Sequence, residues 1–519
     1  MGSEFKLGHR CIVKSSKRIF AREYVEHGIP FWRSKDVIDK ALGVFSSYDL
    51  YISEERFEEI DSKFGSPQKG DLLLSSVGNR AGQPYVIEEE ENFYFKDGNI
   101  LWLSEFNGIN PRFLAYWLKS DFGQNKLSSV MIGSAQKALT IDAIRNLSVK
   151  FPPEYYQVNA VKILLAIDNK IELNQKTNQT LEQMAQALFK SWFVDFDPVF
   201  DNLLASVDFK LENLETSLPD ELKQKAQRRL AALNSLHNAT ECKASLSALA
   251  HELQALSQTK APTPAAVQVS EKAAETPVKA NFNANPKILA QHANTHAHFP
   301  NEFEHHEQLG WIPKGWEMNQ LSEITTELRR GISPKYIEEG GVQVINQKCI
   351  RNHEVNFTPC RRNNTELRKI TGRELNVGDL LINSTGVGTL GRMAQVKYLN
   401  EVTVVDSHVT VVRADSEIYP VYSFAQMMLS IEDKIEALGH GSTGQTELSR
   451  KTVSEQWVLV PKSKALNHLN SQLISISEKI VLNSRQINEL TKLRDTLLPK
   501  LISGELQIPD VATDEETAD

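Results

Sequence analysis

Two long stretches of the chain place apolar residues at helical spacing. In residues 154–195, which no Pro or Gly interrupts, the stripe consists of Leu164, Ile167, Ile171, Leu181, Ala185, Leu188 and Trp192. In residues 463–506, steps of three and four residues connect Leu466, Leu469, Leu473, Ile476, Ile480, Asn483, Ile487, Leu490, Leu493 and Leu497. This spacing is typical of a coiled-coil seam, and it predicts two long amphipathic helices.

Short apolar runs bounded by turn residues precede each of these helices. In residues 6–153 the predicted strands are 28–32, 71–75, 84–87 and 100–103, and Pro111 opens a predicted helix that ends at Leu118. In residues 311–462 the corresponding runs are 342–345, 379–382 and 402–405. Short strands mixed with short helices predict two globular domains of the α+β class.

The two halves of the chain repeat one plan. Gly378-Asp379-Leu380-Leu381 follows Gly70-Asp71-Leu72-Leu73 by 308 positions, and Pro461 follows Pro152 by 309. Asn483 also follows Asn174 by 309 positions, and both amides lie in the apolar seams. A buried Asn fixes register where it meets a partner. We therefore expect an internal pseudo-twofold repeat, with the helices packed antiparallel around the Asn pair as a spacer of fixed length; the alternative is that each Asn faces water.

The remaining segments differ in composition from the repeats. Residues 196–310 contain a predicted short helix near 219–236 and an Ala/Pro/Gln/Thr-rich stretch, so they are predicted to be a partly disordered linker. Residues 507–519 form an acidic tail. Met1 to Phe5 resemble a cloning remnant and are left out of the first predicted domain.

Charge is distributed unevenly along the sequence. The formal net charge is −8, yet residues 10–35 carry seven Lys/Arg against two Glu, and residues 328–373 carry ten against four. Local basic patches, rather than total charge, decide contact with phosphates, although each patch alone is also what an ordinary solvated surface shows. The absence of an apolar run of 18 residues argues against a membrane span, and four scattered cysteines are typical of a reducing cytoplasm.

Loops rich in Gly, Ser, Asn and basic residues recur at matching places in the two repeats. Arg and Lys suit phosphates and guanine, Asn and Gln suit adenine, but ordinary turns use the same residue types. The candidate DNA-binding residues of the first repeat are Lys14, Lys17, Arg18, Arg33, Lys35, Asn79, Arg80, Ser134, Gln136 and Lys137. Those of the second repeat are Arg329, Arg330, Lys335, Asn346, Gln347, Lys348, Ser384, Thr385, Thr389, Ser442 and Gln445.

Motifs that suggest catalysis or metal binding are weak. Phe151-Pro152-Pro153-Glu154-Tyr155-Tyr156 lacks the polar residue that an amino-methyltransferase motif places before its prolines, and Pro219-Asp220-Glu221-Leu222-Lys223 fits a helix start better than a nuclease site. No phosphate-binding loop of the Gly-Lys-Ser/Thr type occurs. The histidines between 292 and 306, and the set Cys349, His353 and Cys360, lack zinc-site spacing. We predict no catalytic, cofactor-binding or metal-binding residues.

Three stretches together resemble one known family. They are Gly28 to Val37, the segment from Gln183 to Pro198, and the segment from Leu493 to Leu506, which accompany the paired Gly-Asp-Leu-Leu motifs. The chain is similar here to the specificity subunit of type I restriction-modification systems. The resemblance implies two target recognition domains, each recognising one half of a bipartite, asymmetric site on double-stranded DNA, with the helices setting the spacer.

The same resemblance implies partners and their cofactors. Methyltransferase subunits, two in number, would dock on the helices and bring S-adenosylmethionine, and restriction-translocase subunits would bring ATP and Mg²⁺. The chain itself would be non-catalytic and cytoplasmic. Two alternatives remain open from the sequence: a coiled-coil assembly adaptor that contacts no bases, and a methyltransferase or restriction enzyme fused to its DNA-recognition module.

Overall fold

The computed structural model describes residues 4–44, 47–78, 80–133, 137–214, 218–236, 239–258, 294–386, 388–439 and 447–508. The chain forms two compact units, the first from residues 1–175 with 484–519 and the second from residues 176–483. Each unit contains one globular α+β domain and parts of two long helices. Within the described residues, no helix is both long and apolar enough to cross a membrane.

The first globular domain comprises residues 4–150. Its strands are β1 (Glu4–Lys6), β2 (Ile12–Lys14), β3 (Tyr24–Val25), β4 (Ile29–Trp32), β5 (Tyr51–Ile52), β6 (Leu72–Ser75), β7 (Pro84–Val86), β8 (Tyr94–Phe95), β9 (Ile100–Ser104) and β10 (Ser148–Lys150). Its helices are α1 (Ser34–Ala41), α2 (Glu54–Phe64), α3 (Pro111–Lys119), α4 (Asp121–Val130) and α5 (Ile141–Arg145). The two four-stranded sheets have the orders β2-β9-β6-β7 and β3-β5-β4-β8.

Between the globular domains the chain is mostly helical. The long helix α6 (Glu154–Phe193) leads into α7 (Asp197–Ala205), α8 (Asp220–Asn234) and α9 (Ala239–Gln258). A small antiparallel hairpin of β11 (Phe303–His306) and β12 (Gly310–Pro313) then precedes the second domain.

The second globular domain comprises residues 317–460 and repeats the topology of the first. Its strands are β13 (Glu317–Gln320), β14 (Thr325–Arg330), β15 (Tyr336–Ile337), β16 (Val342–Ile345), β17 (Ile350–Arg351), β18 (Glu354–Val355), β19 (Arg361–Asn363), β20 (Leu380–Asn383), β21 (Met393–Gln395), β22 (Thr403–Val405), β23 (Val409–Ala414) and β24 (Trp457–Val460). Helices α10 (Val421–Ser430), α11 (Glu432–Ala437) and α12 (Arg450–Ser454) complete it, and α13 (Ser463–Ser503) follows. The sheet orders β14-β23-β20-β21 and β15-β19-β16-β22 match those of the first domain strand for strand, which confirms the predicted duplication.

The repeated Leu-Leu motif forms the centre of each main sheet. Leu72 and Leu74 pack into one apolar cluster while Leu73, between them, packs with Trp32 and Phe93 on the other face. In the second domain, Leu380 and Leu381 separate in the same way into two clusters. Successive strand residues point to opposite faces, so a strand covered on both sides must be apolar throughout. The continuous apolar run in the sequence follows from this burial.

The Asp of each motif holds the turn that precedes the central strand, but with different partners. The Asp71 carboxylate accepts hydrogen bonds from Gln68 N at 2.9 Å and from the Trp102 indole at 2.8 Å. The buried Asp379 accepts the equivalent turn bond from Asn376 N at 2.8 Å, and in place of the indole Arg413 donates two hydrogen bonds to it, at 2.7 and 2.8 Å. This carboxylate raises the pKa of Arg413.

We expect Asp379→Ala to destabilise the second domain by about 3 kcal/mol, because it leaves a partly buried guanidinium without its main partner. Asp71→Ala, which removes bonds from neutral donors only, should cost about 1–2 kcal/mol. Amide hydrogen exchange in β20 and β23, compared with β6 and β9, measures the two effects separately. Equal losses of amide protection in the two domains would contradict the predicted difference between Asp379 and Asp71.

The two long helices pack antiparallel in each unit, as the seam predicts. In the first unit, Arg494 pairs with Asp168 at 3.1 Å, and Asn174 donates to Gln486 at 2.8 Å. In the second unit, Asn483 donates to Asn178 at 2.8 Å. Asn174 and Asn483 are both buried, so neither faces water, and each amide donates to a side-chain oxygen of the facing helix within its own unit.

The segment predicted to be a linker is largely folded where the structure describes it. Leu203, Leu222 and Leu233 are buried in the main apolar cluster of the second unit. The buried Asp201 carboxylate accepts two hydrogen bonds from Arg229 and lies 3.0 Å from the His296 ring. Helix α8 confirms the short helix predicted near 219–236, whereas the linker prediction is wrong for α7 and α9, because their apolar faces find a tertiary partner. Residues 259–293, with most of the Ala/Pro-rich stretch, lie outside the described residues.

Each globular domain begins and ends on a two-stranded ribbon. Strand β1 pairs with β10, so that Glu4 lies opposite Lys150, and β13 pairs with β24, so that Glu317 lies opposite Val460. Residues 4 and 5, set aside as a cloning remnant in the sequence interpretation, form part of this ribbon, and the Phe5 ring packs against Phe151. The chain thus enters and leaves each domain at one place.

Candidate nucleic-acid interface

In the first domain, the predicted loops converge on the turn of residues 96–99 between β8 and β9. The Ser34 hydroxyl donates to Asn99 O at 2.7 Å, and the Ser76 hydroxyl donates to Gly98 O at 3.0 Å. The Ser15 hydroxyl accepts from Gly98 N at 3.1 Å. Loops that are far apart in sequence are thereby held at one edge of the domain.

The second domain builds the same arrangement around the turn of residues 406–408. Ser384 N donates to His408 O at 2.9 Å, as Ser76 N donates to Asn99 O at 2.9 Å. Leu448 N donates to Ser384 O at 2.9 Å, as Leu139 N does to Ser76 O at 2.8 Å. These bonds lie at equivalent positions of the repeat. The duplicated backbone frame therefore presents two sets of loops in the same way.

The basic candidates of the first domain divide into free and engaged side chains. Lys35, Arg80 and Lys137 are exposed, and Lys17 is exposed with its ammonium 5.2 Å from the centre of the Phe64 ring. The Lys14 ammonium lies 3.6 Å from the centre of the Trp102 ring, Arg18 is 3.8 Å from Asp97, and Arg33 bonds Asp49 at 2.5 Å. Asp49 and Asp36 raise the pKa of Arg33, with Asp49 the larger cause. Asn79, Ser134 and Gln136 lie outside the described residues.

In the second domain, two predicted arginines contribute to the packing of the domain itself. Arg329 is bonded to Glu327 at 3.0 Å and to Glu374 O at 3.3 Å. Arg330 donates to Ser407 O, to Glu447 and to Leu448 O, and burial lowers its pKa. Both guanidinium groups therefore shape the loops, which makes them positioning residues more than free phosphate ligands.

The other candidates of the second domain lie around the same turn. Ser384 is 0% exposed and bonds Thr410, so its side chain is out of reach of a ligand. Thr385 bonds the His408 ring at 2.8 Å and lies 3.5 Å from Gln347, and Thr389 contacts Thr385 O. The Asn346 side chain caps Lys348 N at 2.9 Å. Lys335 and Lys348 are exposed, whereas Ser442 and Gln445 lie outside the described residues.

Two side chains at this edge were missed in the sequence interpretation. His408 is exposed beside Thr385, and Arg361 is exposed with its guanidinium 3.4 Å from the centre of the Tyr336 ring. His408 could have been found, because it stands 309 positions after Asn99, the end of the equivalent turn. No local pattern marks Arg361, since its partner ring comes from a different strand.

Lys348 offers a direct test of phosphate contact. We expect Lys348→Ala to weaken DNA binding for all sequences alike and to lower the slope of log affinity against log salt by about one, as loss of one phosphate contact does. Lys225→Ala, an exposed lysine on α8, is the matched control and should leave that slope unchanged. A salt titration of binding measures both, and equal slopes for Lys348→Ala and the parent protein would place Lys348 outside the interface.

Comparison with known proteins agrees with this architecture. Residues 3–183 match the family model described as the type I restriction modification DNA specificity domain. The chain is 26% identical over 457 residues to the type I restriction enzyme HindI specificity subunit of Haemophilus influenzae, covering 85% of this chain and 87% of that protein. It is 20% identical over 508 residues to the MjaIX specificity subunit of Methanocaldococcus jannaschii, covering 94% and 89%.

A solved structure shows the same fold. The type I restriction-modification S subunit from M. genitalium superposes with a TM-score of 0.50 at 13% sequence identity, covering 98% of this chain and 96% of that one. Over most of its length the chain is similar to type I restriction enzyme specificity subunits, and residues 3–183 match the DNA specificity domain of such systems.

Proposed function

We propose that the chain recognises a bipartite, asymmetric site on double-stranded DNA, one half with each globular domain. The observation that carries this proposal is the duplicated frame of loops with different side chains on it. The turn ends in Asn99 in one domain and in His408 in the other, and the loop after the central strand begins Ser76-Val77 in one and Ser384-Thr385 in the other. One backbone plan with two sets of polar side chains suits recognition of two different short sequences.

We further propose that the helix pair carries two methyltransferase subunits. In the first unit, Leu173 and Leu493 are 57% and 47% exposed, and in the second unit, Leu482 and Met184 are 59% and 50% exposed. Leu482 follows Leu173 by 309 positions, and Leu493 follows Met184 by the same number. Large apolar side chains that recur at equivalent exposed positions support two equivalent docking surfaces. Leu493 was predicted to lie in the seam between the helices, and its exposure fits docking better.

In this assembly the chemistry belongs to the partners. The methyltransferase subunits would bind S-adenosylmethionine, and restriction-translocase subunits would bind ATP and Mg²⁺. Within the described residues, no group of three His, Cys, Asp or Glu side chains is arranged to hold a metal ion. The part of this chain would be to choose the sequence and to set the distance between its halves.

The experiment that tests the proposal is a methylome. The chain is co-expressed with the methyltransferase encoded beside it, and N6-methyladenine is mapped by single-molecule sequencing. We expect a split asymmetric motif that is methylated only when both proteins are present. If the two proteins form a folded complex that methylates no motif, the assembly-adaptor alternative replaces the proposal.

A further inference from the structure

Phe20 is an exposed aromatic residue between two arginines. Its side chain is 50% exposed, although a Phe at this position would be expected to bury most of its ring. The Arg18 and Arg22 guanidinium carbons lie 5.7 and 5.2 Å from the ring centre. A half-exposed apolar ring with two cations within 6 Å of its centre fits a nucleic acid, because nucleic acids offer phosphates beside apolar base faces.

The loop that carries Phe20 is held at both ends. On one side, Lys17 N donates to the Tyr94 hydroxyl at 2.8 Å, and Ile19 is buried. On the other side, Phe20 N donates to the Glu23 carboxylate at 2.8 Å, and Glu23 pairs with Arg56 at 3.0 Å. A fixed loop loses little conformational entropy when a ligand contacts the ring, so the exposed Phe is presented in advance.

The loop that carries Phe20 contacts the turn on which the candidate interface converges through Arg18, which lies two residues before Phe20 and is 3.8 Å from Asp97 in that turn. The equivalent loop of the second domain places Ser333, Pro334 and Lys335 between the buried Ile332 and strand β15. That loop has no aromatic residue, so the feature belongs to one half of the duplicated interface only.

We propose that Phe20 acts as an apolar wedge at one base step of the half site that the first domain recognises, with Arg18 and Arg22 on the flanking phosphates. Proteins that press Phe or Leu between base steps unstack them and bend the duplex, and the cost of unstacking depends on the sequence. The wedge would therefore add sequence preference at a step without a hydrogen bond to its bases. This inference rests on the proposed function.

The test uses the complex of the full chain with its methyltransferase and duplexes that carry 2-aminopurine at successive positions of the first half site. We expect the parent complex to raise 2-aminopurine fluorescence at one step only, because the base there loses its stacking partner. Phe20→Ala should abolish that rise and weaken binding about tenfold, within the range found for loss of one aromatic stack on a base. Phe20→Leu should retain much of the rise, because Leu also serves as a wedge.

The matched control is Phe122→Ala, which removes another exposed Phe that also has a lysine near its ring, 5.8 Å away on α4. It should keep the fluorescence rise and the affinity. If Phe20→Ala behaves like Phe122→Ala, the wedge is overturned while the proposed function stands. If Phe20→Ala instead loses the methyltransferase and not the fluorescence rise, Phe20 is a protein contact and the wedge is again overturned. Failure of the parent complex to bind the motif specifically would refute the proposed function itself.

Discussion

Replacing residues 4–150 with the corresponding domain of another family member is expected to change one half of the methylated motif and to leave the other half intact. The hybrid protein should fold because strands β1 and β10 pair, so that Glu4 lies opposite Lys150. The two positions at which the new domain is joined to the chain are therefore neighbours. The graft must keep an apolar surface for Tyr156, Ala160 and Leu164 of α6, which share the domain's cluster. The methylome of the hybrid complex is the measurement.

The reciprocal exchange of residues 317–460 provides the control. Its joints, Glu317 and Val460, are also neighbours across a ribbon, and it should change the opposite half of the motif. A motif that changes in both halves after either exchange would show that the two domains do not recognise DNA independently.

The variant Leu173→Glu with Leu482→Glu is expected to lose both methyltransferase subunits, with the binding of each weakened about 30-fold. Each substitution places a carboxylate in a surface that must be desolvated on docking, and single central residues of interfaces often contribute 2 kcal/mol or more. Both side chains are exposed in the chain by itself, so the fold should tolerate the changes. Mass photometry of the mixed subunits, followed by methylation of the motif, measures the outcome.

The single variants and a charge control sharpen this prediction. Leu173→Glu alone should leave one methyltransferase subunit bound, because the equivalent surface at Leu482 remains. Lys170→Glu with Lys479→Glu introduces the same carboxylate at exposed polar positions that are also 309 residues apart. This control should bind two subunits. If the double leucine variant also binds two, docking uses another surface.

Local pattern was enough to place the main elements of the fold. Helices α6 and α13 occupy 154–193 and 463–503, close to the predicted 154–195 and 463–506. They could be placed because apolar residues three and four positions apart match the period of an α-helix. The predicted strands at 28–32, 71–75 and 342–345 were found for a similar reason. In the insert, the short helix near 219–236 was found as α8, but α7 and α9 were missed, because the polar composition of the segment is that of a linker and the burial of its few leucines depends on tertiary packing.

The candidate interface shows where local pattern ends. Basic loops recur in the sequence, but it does not show that Arg330 turns inward to Ser407 O while Lys348 stays in water. Nor does it show that the Ser15, Ser34 and Ser76 hydroxyls all bond one turn, because those bonds join residues that lie 22 to 83 positions apart. Such contacts depend on how the sheets are ordered, which local spacing does not encode.

By itself, the sequence determined that this protein is a duplication, with two α+β domains, each followed by a long amphipathic helix, and with amides in the apolar stripes of these helices at Asn174 and Asn483. These properties follow from the apolar periodicity and from comparison of the two halves of the sequence, and neither requires knowledge of how the chain packs. The tertiary structure alone decided that those amides are buried and which residues they meet, which basic side chains stay exposed, and that Phe20 is half-exposed two residues from the Arg18 that contacts the turn of residues 96–99. Burial and pairing are properties of the packed chain, because each depends on atoms brought together from distant positions by the whole fold.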